Sequence, residues 1–169
     1  MAQIIESRRR ALHFLLVDVV ITVEKSLSEE LAQLLQTHWE FCMTTTPIGH
    51  VYALDASKLF TPNISVFGAR ILGELLGVGA IRKLDVAHAE LKSMHTLAKS
   101  RGNGIGKAIV THIEGFAKIQ GIRRISLETG SSEAFRVARE LYKSQGYEEC
   151  EAFGDYVLSE HNTCMTKEI

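Results

Sequence analysis

The sequence predicts a single mixed α/β domain, in which helices pack against the faces of one β-sheet. Segments rich in valine and isoleucine alternate with segments whose apolar residues recur every three or four positions. Their order is one strand, two helices, three strands, a helix, a strand, a helix and two strands, which is typical of this class. The 169 residues are enough for one core, and no repeat, linker or low-complexity tract divides them.

The first elements are predicted from LVDVVITVE, residues 16–24, and from LSEELAQLLQTHWEFCM, which follows it. The former is typical of a strand. The latter is amphipathic, with His38 and Phe41 in its apolar row, and Ser26 or Ser28 offers an N-cap hydroxyl. TTTPIGH ends this helix, and VYALDASKL predicts a short second helix.

The remaining elements follow from similar patterns. Residues 64–71 and 75–84 predict two strands joined by a Gly73-Glu74 turn. HAELKSMHTLA predicts a third strand, and the apolar row after it predicts a helix that ends near Gly121. RRISLET predicts a strand, SSEAFRVARELYKSQGY a helix that begins at Ser131 or Ser132, and YEECEAF and TCMTKEI the last two strands.

Composition and charge exclude several classes of protein. Apolar residues make up 46% and charged residues 23% of the chain, which is incompatible with a disordered or collagen-like protein. The formal net charge of −1 provides no global field for nucleic acid or an anionic membrane, so we expect neither as a partner. Three separated cysteines without a CxxC pair and seven scattered histidines predict reduced thiols and no metal site.

The N-terminal segment SRRRALHFLLVDVVITV superficially resembles a signal peptide, because three arginines precede an apolar run. His13 and Asp18 interrupt that run, and no small-residue cleavage site follows it. We therefore expect a cytoplasmic protein. Residues 1–13 form an N-terminal extension, which the sequence leaves as either ordered or frayed, and residues 14–169 form the single domain.

The glycine-rich loop KSRGNGIGKAI, residues 99–109, indicates a ligand. A P-loop would need glycine in place of Arg101 and a hydroxyl residue in place of Ala108, and a dinucleotide fingerprint would need glycine in place of Lys107. Glycines allow close approach of the backbone, and a following helix offers free N–H groups and a positive dipole end. We interpret the loop as a pyrophosphate-binding loop, with an ordinary glycine-rich turn as the alternative.

Two blocks of the sequence resemble the GNAT superfamily of N-acetyltransferases. Residues 89–109, AELKSMHTLAKSRGNGIGKAI, are similar to the family's fourth strand, pyrophosphate loop and following helix. Residues 138–149, ARELYKSQGYEE, are similar to its A-x-x-L-Y-x-x-x-G-F/Y segment. The strand end LETG and the DY…MTK segment of the C-terminus are similar to a subgroup of small bacterial members. The resemblance implies a mostly antiparallel, twisted sheet with helices on both faces.

The resemblance also implies that acetyl-CoA is the cosubstrate. Its pyrophosphate would lie against the loop, and its pantetheine arm would pair with the preceding strand like an added strand. One departure is Phe135, where many relatives have asparagine; the ring would line the pantetheine channel or fill the core. The implied cofactor-binding residues are Met94, His95, Thr96, Arg101, Gly102, Asn103, Gly104, Ile105, Gly106, Lys107, Phe135 and Tyr142.

Acetyl transfer to an amine requires a base for the amine, a donor for the oxyanion and an acid for the leaving thiolate. Tyr142 stands where the family commonly has that acid. Glu90, directly or through a water, is the expected base, and Glu128 is the alternative. Simple alternation places Glu90 and Met94 on one face of their strand and His95 on the other.

We expect direct transfer to a primary amine of a small metabolite or amino-acid-like acceptor. An acyl-CoA sensor or partner-binding module without turnover is the alternative function, and a nucleotide-dependent enzyme is a third. Many members of the family form homodimers, so a homodimer is a further expectation from the resemblance. The acceptor pocket is expected around Trp39, Met43, Thr44, Thr45, Thr46, His50, Tyr52 and Tyr156.

Overall fold

The computed structural model of the protein describes residues 18–169, which form one β-sheet and three α-helices. The predicted N-terminal extension, residues 1–13, and the next four residues lie outside the described part of the chain. The strands are β1 (Val20–Glu24), β2 (Ile64–Ile71), β3 (Glu74–Lys83), β4 (His88–Thr96), β5 (Arg124–Gly130), β6 (Glu148–Cys150) and β7 (Asn162–Glu168). The helices are α1 (Glu29–Thr45), α2 (Ile105–Ile119) and α3 (Arg136–Ser144).

The seven strands form an open sheet in the order β1-β2-β3-β4-β5-β7-β6. Every neighbouring pair is antiparallel except β4 and β5, so the predicted mixed and mostly antiparallel sheet is confirmed. The parallel pair is short: it begins at His88 opposite Arg124 and ends at Glu90 opposite Ser126. Beyond that point β4 and β5 separate, and this separation positions the functional site.

Helices cover both faces of the sheet, as predicted. Leu31 and Leu35 of α1 pack with Val66 on one face, whereas Ile109 of α2 packs with Phe67 on the other. Neighbouring strand residues belong to different cores because side chains alternate across a strand. Each fully buried aliphatic side chain of this kind stabilises the fold by about 1.5–3 kcal/mol. α3 lies on the α2 side, where Tyr142 joins the same core.

A β-bulge interrupts β4 in front of the glycine-rich loop. Val78 of β3 lies opposite His95, whereas Ala80 lies opposite Lys92, so Gly79 faces two residues of β4. Ser93, one of the two, has a φ of +51°, which non-glycine residues seldom adopt. The extra residue reverses the alternation of side chains in the second half of β4.

Several predicted boundaries differ from the structure. The second helix is wrong: only Ala56–Leu59 is helical, as a single 3-10 turn, because Asp55 Oδ1 accepts the Ser57 N–H at 2.9 Å and starts the turn late. The hairpin turn comprises Leu72 and Gly73 rather than Gly73 and Glu74, and both residues have positive φ. No helix in residues 18–169 is long and apolar enough to cross a membrane.

Candidate active site

A cleft of about 400 Å³ opens where β4 and β5 separate. Within the described residues, the edge of β4 from Leu91 to Thr96 has no strand partner on the β5 side. Such an edge offers backbone N–H and C=O groups to an extended ligand. The cleft is walled by α1, the loop before α2, α3 and the segment between β6 and β7.

The glycine-rich loop closes one end of this cleft. Gly102 and Gly104 have φ values of +80° and +77°, which is why glycine is needed at both positions. The backbone N–H groups of residues 102–107 donate to no acceptor in the described part of the chain, and the first bond of α2 runs from Ala108 N to Gly104 O. Six free amides at a helix N-terminus fit a pyrophosphate well.

Most of the predicted loop residues line the cleft, namely Arg101, Gly102, Gly104, Ile105, Gly106 and Lys107. The Asn103 side chain does not: its Nδ2 donates to the Ser100 carbonyl at 3.2 Å and supports the loop from behind. Arg101 Nε donates to the Thr96 carbonyl at 3.1 Å, which ties the loop to the end of β4. Arg101 and Lys107 bring positive charge to this end of the cleft.

Met94, His95 and Thr96 all line the cleft, but the bulge exchanges the faces of the first two. Met94 points toward α2, since a Cβ on Gly79 would lie 2.6 Å from the Met94 sulfur. His95 points toward α1, and its ring centroid is 5.4 Å from that of His38. The prediction that Glu90 and Met94 share a face opposite His95 is therefore wrong, because it assumed an unbroken strand.

Tyr142 and Phe135 lie in the wall opposite β4. Tyr142 is only 5% exposed, and its hydroxyl makes no hydrogen bond to residues 18–169. Burial, and then the nearby Glu128 carboxylate, raises the pKa of Tyr142 well above its usual value, so the phenol stays protonated. The Phe135 ring lies directly on Gly130 and edge-on to Phe41 of α1, at 5.1 Å between centroids.

Glu90 is buried in a network of charged and polar groups. Its Oε1 accepts from Lys92 Nζ at 2.6 Å and from the Tyr156 hydroxyl, which also accepts from Lys92 at 2.6 Å. Its Oε2 lies 2.8 Å from Arg82 Nη2 in an ion pair that is not aligned as a hydrogen bond. Both carboxylate oxygens of Glu90 are therefore already paired with other side chains of the protein.

Glu128 lies in the cleft wall at the end of β5 with little compensation for its burial. Burial raises the pKa of Glu128 to about 7, although Asn162 and Lys92 act to lower it. Its carboxylate is one of the causes that raise the pKa of Tyr142, and both side chains line the cleft. A carboxyl group that titrates near neutral pH can accept a proton there.

The α1 side of the cleft contributes His38 and Cys42, which are four residues apart and face the same way. Burial lowers the pKa of both His38 and His95 to about 4, so both rings are neutral at pH 7. Burial and the Glu128 charge raise the pKa of Cys42 to about 11, which disfavours the thiolate. Neither histidine nor cysteine is charged where acetyl transfer would occur.

Sequence reasoning found part of the acceptor side and missed part of it. Thr46, His50, Tyr52 and Tyr156 line the cleft, whereas Trp39, Met43, Thr44 and Thr45 do not. The apolar row of α1 contains His38 and Phe41, so the helical period could have placed these two, and Cys42 with them, in the cleft. Residues 18–169 contain no cluster of three or more histidine, cysteine or acidic side chains that could hold a metal.

Comparison with known proteins identifies the family of this chain. Residues 29–147 match the sequence profile of the Acetyltransferase (GNAT) family. The chain is 36% identical to the uncharacterized N-acetyltransferase YsnE of Bacillus subtilis strain 168 over 149 residues, which are 88% of this chain and 99% of that one. It is 31% identical over 140 residues to a protein named IAA acetyltransferase from Azospirillum brasilense, covering 82% of this chain and 90% of that one.

Solved structures have the same fold. A Bacillus subtilis acetyltransferase in complex with CoA aligns with a TM-score of 0.69 at 17% identity, over 90% of this chain and 99% of that one. A GNAT family acetyltransferase from Elizabethkingia anophelis with acetyl-CoA bound aligns with a TM-score of 0.66 at 15% identity, over 89% and 98%. The fold, the profile match and the sequence relatives agree: this chain is an N-acetyltransferase and belongs to the acetyltransferase (GNAT) family.

Proposed function

We propose that the protein transfers an acetyl group from acetyl-CoA directly to a primary amine of a small-molecule acceptor, the amine of a metabolite or an amino-acid-like compound. The observation that carries the proposal is that one cleft contains both a site for an anion and side chains suited to proton transfer. One end has the six free amides of residues 102–107, and the other has Glu128 and Tyr142 beside an unpaired strand edge.

Acetyl-CoA fits this cleft as an extended ligand. The free amides, Arg101 and Lys107 suit its pyrophosphate, since cations and helix N-termini both favour anions. The backbone of Met94, His95 and Thr96 suits the amide groups of the pantetheine arm. Two structural neighbours crystallised with acetyl-CoA or CoA have the same fold, which supports this ligand. Phe135 would cover the arm from the α3 side.

Glu128 is the base in this proposal, directly or through a water. It takes a proton from the acceptor amine, whose nitrogen then attacks the thioester carbonyl carbon. As the carbon–sulfur bond breaks, Tyr142 donates a hydrogen bond to the sulfur and eases departure of the thiolate. Glu90 has a positioning role, since it holds Lys92 and Tyr156 in the cleft wall.

A thiol-release assay with acetyl-CoA and primary amines tests the proposal. We expect Tyr142→Phe to lower kcat by about 10- to 100-fold, the range of one general acid, with little change in the Kd for acetyl-CoA. The matched control is Tyr147→Phe, because Tyr147 is equally buried and its ring is 6.0 Å from that of Tyr142, yet it does not line the cleft. Binding of acetyl-CoA without acetylation of any amine would overturn the proposal.

A further inference from the structure

We infer that the acceptor is an arylalkyl amine, a primary amine that carries an aromatic ring and neither a carboxylate nor a second positive charge. This inference rests on the proposed acetyl transfer and narrows its substrate class. It is argued from the walls of the cleft at the end away from the glycine-rich loop.

The two ends of the cleft are defined by β4. Tyr156 contacts Glu90 near the start of the strand, whereas the glycine-rich loop follows Thr96 at its end. Their partners on β3, Arg82 and Gly77, are five residues of extended chain apart, which corresponds to about 17 Å. Acetyl-CoA bound to the loop would leave the Glu90 end of the cleft for the acceptor.

This acceptor end is walled by rings from two segments. Tyr52 follows α1 and meets Tyr156, from the segment between β6 and β7, edge to face at 4.9 Å. His50 meets His161 in the same way at 4.6 Å, across the same two segments. Edge-to-face pairs hold both tyrosine rings in fixed orientations, and a further aromatic ring packs well against such a wall.

At the acceptor end, Tyr156 offers the surface of its ring to a ligand, because its hydroxyl is already hydrogen-bonded. Its hydroxyl donates to Glu90 and accepts from Lys92, and the Lys92 ammonium lies 5.3 Å from the ring centroid. Tyr52 and Tyr156 are both partly exposed to the cleft. A ligand at this end therefore meets the sides and edges of aromatic rings.

Within residues 18–169, the charges at this end leave no cation for an acceptor carboxylate. Lys92 is 9% exposed and already bound to Glu90 and Tyr156, so a carboxylate would have to displace a buried ion-pair partner. Arg82 is held by the other oxygen of Glu90. The other Lys and Arg side chains of the described residues that line the cleft, Arg101 and Lys107, belong to the loop end.

The same end has one free carboxylate for one amine. Glu128 forms no ion pair with residues 18–169, whereas Glu90 is neutralised by its partners. A single carboxyl group suits the reacting amine, and nothing comparable remains for the second ammonium of a diamine or polyamine. The walls and charges together select an amine with an aromatic body.

A panel of four amines tests this inference, in which the last three change the ring, the charge or both relative to the first. The panel is 2-phenylethylamine, phenylalanine (a carboxylate added), 1,5-diaminopentane (a second ammonium in place of the ring) and n-butylamine (the ring removed). We expect kcat/KM for 2-phenylethylamine to exceed the other three by about tenfold or more, the value of one well-packed ring.

Two variants connect the preference to the wall. Tyr52→Leu removes a ring from the acceptor end and should reduce the preference for 2-phenylethylamine over n-butylamine by about fivefold or more, with little change in the KM for acetyl-CoA. Phe116→Leu is the matched control, because it removes a ring that packs on Phe67 at 5.1 Å on the opposite face. We expect that variant to keep the wild-type preference.

The outcomes separate this inference from the proposed function. Acetylation of phenylalanine or 1,5-diaminopentane at least as efficiently as of 2-phenylethylamine would overturn the arylalkyl class and leave acetyl transfer standing. An unchanged preference in Tyr52→Leu would also overturn the class. Failure to acetylate any amine while acetyl-CoA binds would overturn both.

Discussion

At the scale of single residues, Glu128 and Glu90 illustrate how environment assigns different roles to two carboxyl groups of one cleft. Both are acidic side chains on neighbouring strands, and sequence reasoning ranked Glu90 first. Two cations and a phenol surround Glu90, whereas Glu128 is half-buried and has no ion-pair partner among the described residues. The difference comes from Arg82, Lys92 and Tyr156, whose contacts depend on strand pairing and on a segment 66 residues away.

The pH dependence of the Glu128 variant tests its role as base. Burial raises the pKa of Glu128 to about 7, so the carboxylate that accepts a proton is present above pH 7 and lost below it. The ratio of wild-type to Glu128→Gln kcat/KM should therefore rise about tenfold between pH 6 and pH 8. Taking the ratio removes the ionisation of the acceptor amine, which both enzymes share.

Glu90→Gln is the comparison for this experiment. It should keep the ionisation near pH 7 in its kcat/KM profile, moved slightly lower, because the Glu90 charge is one of the causes that raise the pKa of Glu128. Loss of the ionisation in Glu90→Gln and its retention in Glu128→Gln would identify Glu90 as the base instead.

At the scale of elements, the loop before α2 can be tested with two glycines of the same conformation. Gly104 at the start of α2 and Gly121 after its end have φ values of +77° and +80°, and a Cβ on either meets nothing within 4 Å. Alanine at either position should cost about 1–2 kcal/mol of stability through backbone strain alone. Only Gly104→Ala should also raise the Kd for acetyl-CoA, by about tenfold, because its methyl group would stand among the free amides.

Titration calorimetry measures that Kd, and urea unfolding measures the two stabilities. Equal affinities for acetyl-CoA in Gly104→Ala and Gly121→Ala would contradict the assignment of the loop as the pyrophosphate site.

The turn of the β2–β3 hairpin contains a leucine with positive φ, and the strain at this residue can be tested. Leu72 is 81% exposed and has a φ of +51°, followed by Gly73 at +84°. Two positive φ values favour Asn-Gly, and leucine is strained there. Leu72→Asn should therefore raise the free energy of unfolding by about 0.5–1 kcal/mol in urea titrations. Ile119→Asn, at an 83% exposed helical position, should give no gain; a loss of stability in Leu72→Asn would contradict the turn assignment.

Elements were predictable from sequence to the extent that their patterns are local. The helical period of α2 and the strand-like runs of β2 and β3 predicted these elements to within a residue or two. The local pattern of β4 did not indicate its bulge, because nothing about Ser93 as a residue type indicates positive φ. Its consequence was large: Met94 and His95 exchanged faces. The prediction of a helix around Val51 was wrong for a different reason. The apolar spacing of this segment suited a helix, but Asp55 starts only a single 3-10 turn.

At the scale of the whole molecule, the cleft is a consequence of sheet topology. β5 pairs with β7 along its full length but with β4 over only three residues, so the two halves of the sheet are joined at one end and apart at the other. Sequence order predicted the mixed sheet, but the extent of pairing depends on contacts distributed across several strands. Side chains from segments far apart in sequence, such as Tyr52 and Tyr156, meet only because of that topology.

A ligand that bridges the two halves should stabilise the whole domain, and this is measurable. Acetyl-CoA at 100 times its Kd would add about 2.7 kcal/mol to the free energy of unfolding, which corresponds to roughly 5–10 °C in Tm for a domain of this size. ATP and NAD⁺ carry phosphoanhydrides but lack the pantetheine arm that would pair with β4, so they should give smaller shifts. Because the gain depends on both the loop and the strand edge, Gly104→Ala should reduce the shift with acetyl-CoA, relative to Gly121→Ala at the same concentration. An equal shift with ATP or NAD⁺ would mean that the pantetheine arm contributes nothing and that β4 does not bind it.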